Sequence, residues 1–217
     1  MNNTELWNSV CVTDPSAVKP ITGKPYKGNS PKPYWLIWRA TETFGPCGLG
    51  WGVVVKSESF MRMSESDVMH SAVVQFWYMR DGKRCEIEQM GQTKAAYMTA
   101  SGKLMVDEDA GKKSVTDGMV KCMSMVGFAG DIFSGRWDDS NYVAWAADET
   151  ARRENPCLSD DQIANIEALI TETKSDKAAL LKWISGKAEK PVANLGQVPS
   201  EAYAAIIKKL EAKRATA

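Results

Sequence analysis

The chain of 217 residues has a single histidine, His70, and no Gly-rich phosphate loop followed by Lys and Ser or Thr. The first scarcity leaves little for histidine-based catalysis: no metal or nucleophile pattern surrounds His70, whose strand-edge context reads as structural. The second argues against an ATP-driven recombinase or helicase. No C-x-x-C pair occurs, and the five cysteines, Cys11, Cys47, Cys85, Cys122 and Cys157, are odd in number and widely spaced. Neither a disulfide framework nor a zinc site is indicated, and they read as reduced thiols, mostly core. No apolar run approaches the roughly 20 residues that span a bilayer. The polar start, MNNTELWNS, lacks the basic and apolar regions of a signal peptide. No membrane partner, metal or cofactor is expected, and the expected location is cytoplasmic.

Net charge is also missing: 27 Lys and Arg balance 27 Asp and Glu. A zero sum argues at first against nucleic acid, because neutralised phosphates supply most non-specific affinity. The distribution says otherwise. From Pro15 to Thr41 there are five basic residues, Lys19, Lys24, Lys27, Lys32 and Arg39, and no acid. Tyr26, Tyr34, Trp35 and Trp38 are interleaved with them, which is the composition of a surface that tracks a phosphate backbone and stacks bases. The alternative is a solvated basic loop followed by a helix whose aromatics are core.

In chain order, Trp7 to Thr13 reads as a short strand and Asp14 to Pro33 as an extended loop. A helix follows, with Pro31 and Pro33 at its start, Ser30 as a cap, Tyr34, Ile37, Trp38 and Thr41 on one face, and Gly45 at its end. Gly50 to Val55 is strand-like. Ser71 to Met79 and Lys83 to Met90 flank Asp81-Gly82, which predicts a β-hairpin with a type I′ turn. In its second strand Cys85 and Ile87 alternate with Arg84, Glu86 and Glu88, so one face is buried. Gly91 to Met105 adds another strand pair.

The next segment, KKSVTDGMVKCMSMVGF from Lys112 to Phe128, predicts an amphipathic helix. Val115, Met119, Cys122, Met123 and Val126 share one side, and Lys113, Asp117, Lys121 and Ser124 the other. Asp107, Glu108 and Asp109 suit its first turn, and Gly127 or Gly130 its end. Gly118 costs roughly 1 kcal/mol relative to alanine in a helix interior, which points to another backbone or a nucleic-acid strand passing close to that turn.

This helix resembles the signature helix of the single-strand annealing proteins, the superfamily of Rad fifty-two and the phage annealases Red beta, RecT and Erf. There a basic pair, a Thr-Asp-Gly or Thr-Asp-Ala step and further basic residues lie beside the DNA groove. WLIWRATETFGPCGLGW, from Trp35, resembles the family's early helix and Gly-Trp strand, and GFAGDIFSGRWDDSNYV is similar to the phage versions. The resemblance covers most of residues 5 to 145. It implies an α+β core of helix, antiparallel β-meander and long helix that binds single-stranded DNA and anneals complementary strands without ATP, in phage recombination within a bacterial host. It implies no catalytic chemistry, and it implies homo-oligomers in the form of rings or filaments, with annealed duplex as product. Lys112, Lys113 and Lys121 match the family's basic positions. Lys24, Lys27, Lys32 and Arg39 with Tyr34 or Trp35 complete the candidate DNA contacts. Two departures stand out: Val120 occupies a position that is basic in the Rad fifty-two pattern, and Trp35 lies where that family has an Arg.

Two rival functions remain. Asp107, Glu108, Asp109, Asp117, Asp131, Asp138 and Asp139 could form a two-metal nuclease site, although capping and turn formation account for most of them. A passive single-strand binder has the same composition as an annealase. Seven methionines, Met61, Met63, Met69, Met79, Met119, Met123 and Met125, read as core filling rather than an adaptable binding surface.

Ala144 to Cys157 turns polar, which places a linker at residues 148–157 between a core of residues 1–147 and a three-helix domain, residues 158–217. Ser159 with Gln162 forms a capping box, and Leu158 with Ile163 a hydrophobic staple. Ile163, Ile166 and Ile170 continue that helix, Ser175 caps a second, and Tyr203, Ile206, Ile207 and Leu210 form the stripe of a third. This tail is similar to the small C-terminal domain of Red beta, which implies contact with the host single-stranded-DNA-binding protein and a partner exonuclease. An acidic, hydrophobic-tipped peptide of the former needs an apolar pocket ringed by cations. Trp183 and the third-helix stripe can supply the pocket, and Lys182, Lys187, Lys190 and Lys208 the ring. The tail has nine basic and eight acidic residues, so only local clustering can attract such a peptide. A Trp183 in the core beneath solvated lysines is the equal alternative.

Overall fold

The computed structural model describes residues 3–22, 26–187 and 191–214. Lys24 and Lys190, both candidate contacts, lie outside the described residues. The fold is α+β. The chain divides into two compact units, Met1–Ala147 and Asp148–Ala217. Among the described residues no helix is long and apolar enough to cross a membrane.

The first unit opens with α1 (Glu5–Val10), where a strand was expected. Leu6 and Val10, four residues apart, pack into the core together, so the period that matters here is helical. The segment after α1 is held by side chains rather than a ladder: Thr13 donates its N–H and hydroxyl to Asp131, at 2.8 and 2.6 Å. The expected loop contains a 3₁₀ turn, Pro15–Ala17, and a two-stranded ladder of β1 (Val18–Pro20) and β2 (Asn29–Pro31). Next comes α2 (Pro33–Phe44), begun by Pro33, whose ring presets the helical φ, and ended at Gly45 with φ 92°. Lys32, not Ser30, is its N-cap residue.

The sheet is an antiparallel meander of β3 (Trp51–Arg62), β4 (Val68–Arg80), β5 (Lys83–Met98) and β6 (Leu104–Val106), in that order. Arg80 pairs with Lys83 across Asp81 and Gly82, whose φ values of 52° and 72° are those of the predicted type I′ turn. Gly91 interrupts nothing: β5 is one continuous strand, and only its end, Ala96–Met98, pairs with β6.

One face of this sheet carries α2 and α3 (Ala110–Met125). Leu36, Ala40, Trp51, Val74, Phe76, Met119, Cys122, Met123 and Phe128 form the core between them. Burying each of the larger side chains contributes about 1.5–3 kcal/mol. α3 also buries a row the apolar pattern does not show, Ala110, Ser114 and Gly118. Small residues there let the helix lie close on the strands. The helix ends in a Schellman motif: Phe128 N–H reaches Met123 O at 3.2 Å, Gly127 N–H reaches Ser124 O at 3.1 Å, and Gly127 has φ 109°. Met123 and Phe128, the apolar pair of that motif, are both buried.

Beyond it lie α4 (Gly130–Phe133) and α5 (Ser140–Glu154). The expected linker is therefore helical as far as Glu154, and the boundary between the units falls within α5. Polarity misled here: the segment's alanines, glutamates and arginines hold a helix with little apolar burial until Pro156 stops it.

The second unit contains α6 (Asp160–Glu172), α7 (Lys177–Ser185) and α8 (Tyr203–Arg214) around Leu158, Ile166, Leu180, Ile184, Val198, Ile206 and Leu210. The capping box forms as predicted: Ser159 N–H donates to Gln162 Oε1 at 3.0 Å, and Gln162 N–H to Ser159 Oγ at 3.2 Å. The cap of α7 is Asp176, which accepts from Ala178 N–H at 2.8 Å, while the Ser175 hydroxyl bonds that of Thr173 instead.

Candidate nucleic-acid interface

The β1–β2 ladder carries Lys19 and leads directly into Lys32, the N-cap residue of α2, while Lys27 precedes β2. Lys32 N–H bonds Ala17 O at 2.7 Å and its ammonium reaches Ser16 O at 2.8 Å, so the helix start is tied to the ladder. Lys19 and Lys27 are exposed, and neither pairs with a described carboxylate. Tyr34 and Trp38, one helical turn apart, are 83% and 51% exposed, and Tyr26 is 58% exposed. Tyr34 and Trp38 thus depart from the alternative in which the aromatics of α2 are core, whereas Trp35 fits it.

The remaining candidates of α2 point the other way. Trp35 is half-buried and packs against the main core. Arg39 is buried: its guanidinium pairs with Glu42 and donates to Ser9 O at 2.8 Å, tying α2 to α1. Neither stands in solvent as Tyr34 and Trp38 do. Trp38 and Lys19 belong with the exposed set instead, and the signal for Trp38 was its spacing of four from Tyr34.

The three lysines of α3 are exposed or partly so, and each has an acidic partner. Lys112 bonds Asp109 at 2.9 Å, Lys113 bonds Asp107 at 2.6 Å, and Lys121 bonds Asp117 at 2.8 Å. The hydrogen bond from Lys112 holds the Asp109 carboxyl below its usual range, and the Asp109 and Asp107 bonds raise Lys112 and Lys113. Lys121 has a further bond, to Met90 O at 3.2 Å, and Asp117 accepts from Gln92 N–H at 3.2 Å. This pair therefore closes the open edge of β5. Lys113 and Lys121 lean toward the β5 and β6 side, whereas α2 packs over β3 and β4. The two groups of candidate contacts are not brought into one cluster. Val120, the departure from the basic pattern, is half-buried against the core.

The carboxylates weighed as a nuclease site are spread over separate duties. Asp107, Asp109 and Asp117 hold the lysines of α3. Asp131 is buried and accepts from Thr13, its neighbour Ile132 N–H and Tyr142 OH, the last at 3.1 Å. Burial, and then the Asp131 charge, push the Tyr142 hydroxyl far above its ordinary value. Asp139 accepts from Asn141 N–H at 2.8 Å in a turn. Among the described residues no three His, Cys, Asp or Glu side chains converge on a point that could hold a metal ion. His70 lies in an interior strand rather than at an edge, buried between Phe60 and the first turns of α3, with Nε2 3.5 Å from Glu58.

Methionine serves two purposes. Met119 and Met123 are core, but Met63 and Met125 stand largely in solvent and Met61 and Met79 are more than a third exposed. Of the cysteines only Cys122 is fully buried, and burial raises its thiol.

In the second unit Trp183 is half-buried, and the ammonium groups of Lys187 and Lys209 each lie 4.6 Å from the centre of its ring. A cleft of about 310 Å³ opens beside it, lined by Ile184, Pro199, Glu201, Ala202 and Ala205. Lys209, which sequence reasoning passed over, takes the place expected of Lys208; Lys182 and Lys208 are exposed. Ile206 and Leu210 of the expected pocket belong to the core.

No protein-family model matches the chain, and no curated protein matches it.

Proposed function

We propose that residues 1–147 bind single-stranded DNA and pair complementary strands without nucleotide hydrolysis, as a homo-oligomer, in phage-type recombination. The observation that carries this reading is the exposed pair Tyr34 and Trp38 on one face of α2, in a helix whose N-cap residue is Lys32 and whose preceding segment carries the exposed Lys19 and Lys27. Aromatic faces take bases irrespective of sequence, and lysines follow the phosphates between them. Bases held by such transient stacking exchange readily, so a second strand can test them for complementarity. The step makes and breaks no covalent bond, so it needs stacking and charge neutralisation rather than a general base. Lys112 and Lys113 supply secondary phosphate contacts, since a phosphate can replace the carboxylates that hold them in solvent. Lys121, Arg39 and Trp35 serve the fold.

For the second unit we propose recognition of an acidic peptide with an apolar tip, such as the tail of a bacterial single-stranded-DNA-binding protein. The cleft beside Trp183 takes the tip, and Lys187 and Lys209 the acids. Titrating the whole protein with such a peptide should change the Trp183 environment, and Trp183→Ala should abolish binding. No binding at hundreds of micromolar peptide would remove this part.

An end-labelled strand incubated with the protein and magnesium, then challenged with its complement, separates the main reading from its rivals. A nuclease shortens the strand. A passive binder protects it but does not hasten pairing, and an annealase hastens pairing with no nucleotide present.

A further inference from the structure

The edge of the sheet on the β5 side is closed along part of its length and open at its far end. At Met90 and Gln92 the edge of β5 is occupied by Lys121 and Asp117 of α3. Further along, β6 becomes the edge, and Leu104 and Val106 are 53% and 65% exposed. An unprotected apolar edge strand is a template for another strand.

Hydrogen-bond parity fixes how that template can be used. Thr99 N–H bonds Lys103 O at 2.9 Å and Asp107 N–H bonds Ala95 O at 2.8 Å, so Lys103, Met105 and Asp107 turn their backbone groups toward β5. Leu104 and Val106 therefore turn theirs outward. The stretch Lys103-Leu104-Met105-Val106-Asp107 also complements itself when reversed. Antiparallel pairing centred on Met105 sets Leu104 opposite Val106 and Lys103 opposite Asp107 of the other copy. Leu104 and Val106 then fall at the hydrogen-bonded positions, and Met105 at a non-bonded position facing its own equivalent. Lys103 is exposed and pairs with no described carboxylate, so it gains a share of the Asp107 carboxylate opposite, which Lys113 of its own copy also holds at 2.6 Å.

We infer that β6 is a two-fold interface, at which β6 of a second copy pairs antiparallel about Met105 and joins two sheets into one. This deepens the self-association in the reading above, and it is tested without DNA. In a non-bonded antiparallel pair the Cα atoms lie about 4.5 Å apart, within disulfide range. Met105→Cys in the full chain should therefore form, under mild oxidant at micromolar concentration, several-fold more disulfide dimer than the native protein with its five cysteines. Peptide mapping should place the bond between the two position-105 cysteines. Adding Val106→Pro, which deletes an outward N–H, or Val106→Lys, which sets charge at the seam, should remove that dimer while the circular dichroism spectrum is unchanged. A folded Met105→Cys protein with no such cross-link, or a cross-link that survives both Val106 changes, overturns the inference. Self-association that persists through another face leaves the annealing reading standing, and a position-105 cross-link in a protein that does not anneal leaves only this interface standing.

Discussion

Gly118 of α3 and Gly91 of β5 face each other so closely that neither has room for a methyl group. A Cβ on Gly91 would lie 1.9 Å from Ser114 O and 2.4 Å from Gly118 N, and one on Gly118 would lie 2.7 Å from Val74 Cγ2. The backbone that passes the glycine turn of α3 is thus the protein's own strand. Gly118→Ala and Gly91→Ala are each expected to lower stability by about 1–3 kcal/mol, as overpacking does. The Gly91 change should be the larger, because it meets main chain rather than a side chain. Urea unfolding midpoints equal to that of the native protein would contradict this packing.

Tyr34 makes the sharpest functional prediction. Its removal costs the fold little, since it is 83% exposed, whereas one stacked base is worth about 1–3 kcal/mol. Tyr34→Ala should weaken single-stranded DNA binding by roughly 5- to 150-fold with an unchanged melting temperature, and Tyr34→Trp should restore binding. Trp35→Ala should behave in the opposite way, lowering the melting temperature with a smaller effect on binding at temperatures where the protein is folded. Fluorescence anisotropy and thermal melts on the same samples decide both.

Salt dependence separates the lysines. Each phosphate contact on a single strand contributes roughly 0.7 to the slope of log affinity against log salt. Lys27→Ala should reduce that slope by about this amount. Lys121→Ala should leave it unchanged and lower stability by a few tenths of a kcal/mol, the scale of an exposed i,i+4 pair. A larger loss of slope for Lys121 than for Lys27 would return the phosphate path to α3.

Periodicity and turn chemistry made much of this fold legible. The Asp81-Gly82 hairpin, the amphipathic α3, the end of α2 at Gly45 and the Ser159–Gln162 capping box all follow from local physics that tertiary structure did not override. What could not be read depended on partners distant in sequence. Nothing near Trp7 says that Leu6 and Val10 together will meet the core, or that Thr13 will be claimed by Asp131, so a helix passed for a strand. Ala144 to Glu154 is polar because it buries little, not because it is unstructured. At the candidate interface the basic and aromatic run was visible, but its division was not. Tyr34 and Trp38 face solvent, while Arg39 turns inward to Ser9 O, and only the placement of α1 decides that. Likewise the ion pairs of Lys112 and Lys113 depend on how the chain enters α3 from β6.

Asp131 joins segments far apart in sequence. Asp131→Ala would leave the Thr13 N–H and hydroxyl buried without an acceptor and free the Tyr142 hydroxyl. A loss of several kcal/mol is expected, since each unsatisfied buried group costs about 1–3 kcal/mol. Tyr142→Phe should cost only about 1 kcal/mol, because Asp131 keeps its other donors. Chemical denaturation of both variants tests the ranking, and equal losses would mean that the tie does not work as described.

The most direct measurement follows the pairing of two complementary dye-labelled strands by energy transfer, with protein and no nucleotide present. Annealing by stacking and charge neutralisation should give a pairing rate well above that of the bare strands, lost at high salt, reduced by Tyr34→Ala and unaltered by added ATP. Pairing no faster than without protein, or pairing that proceeds only when ATP is supplied, would contradict it.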